Sequence, residues 1–135
     1  MNSTLASRSV GKPLHITVWV VQIALTAAFI SAGVLKLTGA EQMVALFDKI
    51  GVGQWFRYVT GSIEVVGGIC LLLPRLVDKA ATLLTLTMTS AFLTHVLLIG
   101  GNPAAAAILA FASAAVAYLR RQDPTVLALA KRLLG

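Results

Sequence analysis

Four apolar runs, divided by short polar links, leave this chain few ways to fold. They cover residues 14–35, 58–73, 80–99 and 104–119. A helix needs about 20 apolar residues to cross a bilayer. The first and third runs meet that length unaided. The second and fourth are completed at the interface by Trp55, Phe56 and Tyr118. Pro74-Arg75 stops the second run, and Gly100-Gly101-Asn102-Pro103 stops the third. Links this short make neighbouring helices antiparallel. The expected fold is therefore all-α. It is an integral membrane antiparallel four-helix bundle with helices over 14–37, 55–73, 79–99 and 103–120. One membrane domain spanning residues 1–135 accounts for the whole chain. Composition agrees, since 58% of residues are hydrophobic and only 12% charged, about half the charge of a typical soluble domain.

The net charge of +6 raises nucleic acid as a partner, but no basic patch with interleaved aromatics is present. The cations instead border the apolar runs. Arg8, Lys12, Arg75, Lys79, Arg120, Arg121, Lys131 and Arg132 fall on one side, and Lys36, Lys49 and Arg57 on the other. That asymmetry places both termini in the cytoplasm. The first run is too long for a signal-peptide core, and no small-residue cleavage site follows it. A lone cysteine, Cys70, rules out an intramolecular disulfide and any dithiol chemistry within one chain.

Two further segments suit short amphipathic helices at the interface, over 39–50 and 124–134. Thr38-Gly39-Ala40-Glu41 fits a capping box, with Thr38 as N-cap. Met43, Leu46, Phe47 and Ile50 then share one face, and Gly51 supplies a stop. Asp123-Pro124 can start the C-terminal helix, with Val126, Leu129 and Leu133 on the membrane.

Ionisable residues in apolar spans are costly unless they find a partner or water. Lys36 closes the first run, Glu64 lies within the second and His95 near the end of the third. Glu64 comes seven residues after Arg57, roughly 10 Å deeper along a helix. In the alternating topology all three reach the outer half of the membrane, with Arg57 on the face of Glu64. Lys36, Arg57, Glu64 and His95 are thus a candidate ligand-binding or buried polar cluster. Phe29, Gly33, Gly61, Met88 and Phe92 are the expected lining of its pocket. Blander readings stand beside this one: Lys36 as a snorkelling lysine, Arg57 as an interface anchor and His95 as an interhelical hydrogen bond. Gly67-Gly68 suits close helix approach. The Thr82, Thr85, Thr87, Thr89, Ser90 and Thr94 hydroxyls are expected on their own preceding turns. No metal motif is visible, and His15 lies near the opposite surface from His95.

Several stretches together resemble the DoxX-like family of small bacterial membrane proteins. They are Ala32-Gly33-Val34-Leu35-Lys36-Leu37-Thr38-Gly39, Gln54-Trp55-Phe56-Arg57-Tyr58, Gly61-x-x-Glu64-x-x-Gly67-Gly68 with Pro74, and Thr94-His95 before Pro103. The resemblance covers residues 15–121. It implies a multi-pass protein of the bacterial inner membrane, with relatives tied to quinol oxidase subunits, thiosulfate:quinone chemistry or membrane redox complexes. Other relatives look like chaperones or cargo receptors. The chain shows no self-contained catalytic motif and no demonstrable cofactor site, so a redox role would draw on a quinone or a partner subunit. Three functions follow as expectations. They are an accessory subunit of a membrane redox system holding a quinone-type or other amphipathic ligand, a non-catalytic assembly or stress-related partner, and a small-solute or proton carrier. The lipid bilayer is the expected partner, with a membrane or redox subunit or a homo-oligomer beside it.

Overall fold

A computed structural model describes residues 2–122 and Arg132. The expected helix over 124–134 lies outside the described residues, apart from Arg132. Every regular element among the described residues is helical. They are α1 (Asn2–Leu37), α2 (Glu41–Ile50), α3 (Gln54–Cys70), α4 (Val77–Thr94) and α5 (Ala104–Arg121), with a π-helical stretch, His95–Ile99, continuing α4.

Three of these are long and apolar enough to cross a membrane: Leu14–Leu37 within α1, Val77–Ile99 and Ala104–Arg121. Their outer faces carry large apolar side chains in the open, including Ile16, Val20, Leu86, Ile108 and Phe111. A belt of that extent is an aggregation surface in water and an ordinary surface in lipid. The protein is a multi-pass membrane protein. α1 begins earlier than expected, because apolarity marks only the part of a helix that can span. α3 ends earlier than the expected Leu73. Pro74 disfavours helix in the residue before it, and Leu72 and Leu73 turn back onto Ile69 and Cys70 with three-residue spacing. At 17 residues, α3 is roughly 25 Å long, shorter than a hydrocarbon core of about 30 Å.

Small residues set the closest contact, between antiparallel α1 and α3. A methyl group added at Gly33 would meet the Gly61 carbonyl oxygen at 2.7 Å, and one at Gly61 would meet Lys36 Cβ at 3.0 Å. Gly68 gives the same room to Phe29 and Ile30, while Gly67 lets Leu84 of α4 approach. α4 and α5 form the other tight pair, and α3 touches α4 sparsely. Phe29, Leu71, Val77, Ala81, Leu84 and Val116 fill the core between the pairs. The hydroxyls of α4 behave as expected, each donating to the carbonyl four residues back.

The link from α1 to α2 differs from expectation. Gly39, at φ +73°, ends α1 in a left-handed turn. Gly39 N–H donates to the Lys36 carbonyl and Ala40 N–H to that of Leu35, the pattern of a Schellman cap. Thr38 is consumed in that ending, its hydroxyl donating to the Val34 carbonyl at 2.7 Å. No capping box forms, and Ala40 stands at the N-cap of α2 without a side-chain bond. Gly51, at φ +80°, closes α2 as expected.

Candidate functional site

A cavity of about 450 Å³ opens where α2, the N-terminal half of α3 and the end of α4 meet. That volume is in the range of small-molecule sites. Met43, Leu46, Phe47 and Ile50 of α2 all line it. The amphipathic helix thus turns its apolar face onto the protein, with Glu41, Gln42, Asp48 and Lys49 outward. Phe29 from α1, Ile63 from α3 and Met88 and Ala91 from α4 complete an apolar enclosure.

Lys36, Glu64 and His95 come from three different elements and line the same cavity. On α3, Arg57, Gly61, Glu64, Gly67 and Gly68 make one buried stripe, the spacing of a single helix face. Glu64 is therefore turned toward α1, where Lys36 Nζ donates to its two carboxylate oxygens at 2.8 and 2.7 Å. The Glu64 side chain is 2% exposed and that of Lys36 14%. Lys36 spends two donors on this pair, and an ammonium has three. The His95 ring is half-buried, and its Nδ1 is buried without a hydrogen-bond partner. It opens the π-helical stretch, a feature that recurs at functional positions.

Arg57 plays a different part. It is 5% exposed, yet it does not line the cavity and does not pair with Glu64. Its guanidinium donates to the Lys36 carbonyl and, through Nε, to Gln54 Oε1 at 2.7 Å. Gln54 in turn donates to the Val44 carbonyl and to Asp48. Arg57 thus ties the end of α1, the body of α2 and the start of α3 together, and so holds the cavity's roof. Among the expected lining residues, Phe29 and Met88 lie on the cavity wall. Gly33 and Gly61 are instead spent on the contact between α1 and α3, and Phe92 lies off the wall.

A second polar network, absent from the sequence-based expectations, lies at the opposite end. Gln22, 1% exposed, donates to the Leu71 carbonyl at 2.7 Å and accepts from Arg120 Nε at 2.6 Å. Thr26 donates to the Gln22 and Gly68 carbonyls. Arg120 Nη1 lies 3.0 Å from His15 Nδ1, and its guanidinium sits 5.2 Å from the Trp19 ring centre. The sequence does carry a signal for it, because His15, Trp19, Gln22 and Thr26 recur at the spacing of one helix face. Among the described residues, no group of three or more His, Cys, Asp or Glu side chains could hold a metal ion.

No curated protein and no solved structure matches the chain. The DoxX-like family profile matches residues 20–117, a stretch that contains the Lys36–Glu64 pair, Arg57 and His95. This chain belongs to the DoxX-like family, which is broadly associated with membrane redox-linked roles.

Proposed function

We propose that this protein is an accessory subunit of a membrane redox system and that its cavity holds a quinone-type amphipathic ligand. One observation carries the reading: an apolar cavity of about 450 Å³ lined by the Lys36–Glu64 ion pair and by His95. The threonine and serine hydroxyls nearby already bond to their own helices. The spare Lys36 donor and the His95 ring are left to meet a polar head, and the apolar walls suit a tail. A quinone head offers two carbonyl acceptors, which fits such a donor set, and it would supply the redox chemistry. The chain's own part is to bind and orient that head and to shield it from water. Electrons come from a partner subunit.

In this reading α3 is a fourth crossing, completed by the turn over 71–76, and all four spans form one membrane domain. Both termini face the cytoplasm, and the cavity lies in the outer leaflet of the inner membrane. The charge asymmetry and the antiparallel pairing of α1 with α3 support that arrangement.

Native mass spectrometry from gentle detergent, with solvent extraction of the same sample, tests the proposal. A quinone-type lipid should travel with the protein. Preparations that carry only bulk phospholipid would contradict it. A second reading has its own observation: Glu64 is already satisfied by Lys36, so the pair can serve helix packing in a non-catalytic assembly partner. That reading expects a stable partner complex and no quinone.

A further inference from the structure

The contact between α3 and α4 is sparse, and the cavity opens at one end of it. A second recess of about 440 Å³ lies lower on the same seam. Ile63 lines both spaces. On α3 the walls are Val59 and Ile63 in the cavity, then Ile63, Val66 and Cys70 in the recess. That spacing of four, three and four residues is one unbroken helix face. On α4 the matching stripe runs from Ala80 and Leu83 in the recess to Thr87, Ala91 and Thr94 in the cavity. From Thr60 to Cys70 the seam descends about 15 Å.

Its chemistry is graded. The Lys36–Glu64 pair and His95 occupy one end, and the recess is almost wholly apolar, with Lys79 as its single charged lining residue. Val59, Val66 and Leu83 are 44%, 60% and 45% exposed, so the seam is open along its flank. Such a path suits a molecule with one polar head and one linear hydrocarbon tail, arriving sideways from the bilayer. Resting on the reading of the cavity as the head-group site, the geometry points to the α3–α4 seam as the berth of that ligand's linear hydrocarbon tail, with Ile63 at the join. The tail then adds affinity through the packing contacts it makes along the seam.

The test compares two quinones with the same head, one carrying a single prenyl unit and one a long prenyl chain. Binding is measured at equal mole fraction in nanodiscs. The wild-type protein should prefer the long tail. Val66→Trp and Leu83→Trp put bulk into the recess from opposite walls, and neither residue lines the cavity. Each should weaken the long-tailed ligand about tenfold, which losing roughly ten dispersion contacts between tail and wall is enough to produce. Short-tailed binding should stay within about twofold of wild type. Unchanged thermal melting, with outward-facing Leu86→Trp as a control, shows that folding is intact. If both ligands bind but tail length makes no difference, or if neither substitution narrows the preference, the seam assignment is overturned and the head-group site survives. A phospholipid seated from the other end on Lys79 would give that result. If neither quinone binds the wild-type protein, the head-group reading falls and this one falls with it.

Discussion

The Lys36–Glu64 pair makes an asymmetric prediction. Removing one partner of a buried ion pair costs about 3–5 kcal/mol, because a charge is left without compensation. Replacing both with uncharged side chains of similar size is often neutral. Here the two partners differ in burial, with Glu64 at 2% and Lys36 at 14% side-chain exposure. Lys36→Met leaves a carboxyl sealed between α1 and α3, so the cost should fall near about 3 kcal/mol. Glu64→Gln leaves an ammonium at the end of α1, where its long stem can carry the charge toward the surface. The amide still accepts a hydrogen bond, so this change should cost only about 1–2 kcal/mol and keep the fold. Lys36→Met with Glu64→Gln should lie close to wild type. Thermal unfolding of the four proteins in one detergent closes the double-mutant cycle. With those single losses and a double mutant near wild type, a coupling of about 4–5 kcal/mol is expected. Additive losses would show that the two charges do not sustain each other. Ligand retention, measured beside stability, separates function from packing. Glu64→Gln should abolish retention if the site needs the carboxylate, and Leu86→Trp on the outward face should be nearly silent. If Glu64→Gln lowers stability but leaves retention unchanged, the carboxylate is structural.

Gly33→Ala should destabilise by about 1–3 kcal/mol, since the added methyl meets the Gly61 carbonyl and the Val65 amide nitrogen, backbone atoms that cannot turn aside. Gln22→Leu removes the acceptor of Arg120 Nε and the donor to the Leu71 carbonyl, so a loss of about 2–3 kcal/mol in unfolding free energy should appear without loss of the cavity ligand. Reporter fusions after Arg121 should read cytoplasmic, and fusions near Asn102 should read external. A periplasmic C-terminus would sink the proposed topology.

The helices are legible in the sequence because apolar run length and Gly/Pro stops are local signals. Their order, and the Gly67-Gly68 contact, follow from the same signals. Depth along each span is enough to bring Lys36, Glu64 and His95 to one end. Spacing cannot show what depends on which partner is nearest. Lys36, not Arg57, meets Glu64, since the Schellman turn at Gly39 presents a carbonyl to Arg57. Thr38 misleads because a Thr-x-x-Glu pattern says nothing of a hydroxyl already used by the preceding helix. α2 reads as a helix on the lipid interface, because an amphipathic face looks the same whether it covers lipid or a cavity. The π-helical stretch at His95 has no sequence signal that we can identify. Gln22 is easily overlooked because an amide costs a span less than a charge, although its stripe with His15, Trp19 and Thr26 is readable.

Occupancy of the cavity is the central claim, and filling it is the direct measurement. Ala91 lines the cavity, whereas Leu86, 62% exposed, faces outward from the same helix. Ala91→Trp and Leu86→Trp add large side chains to α4, one into the cavity and one into the surroundings. Quinone-type lipid per mole of protein, extracted from matched gentle-detergent preparations, should be lost with Ala91→Trp and retained with Leu86→Trp. Equal amounts in both variants, or none in the wild-type protein, would contradict the account.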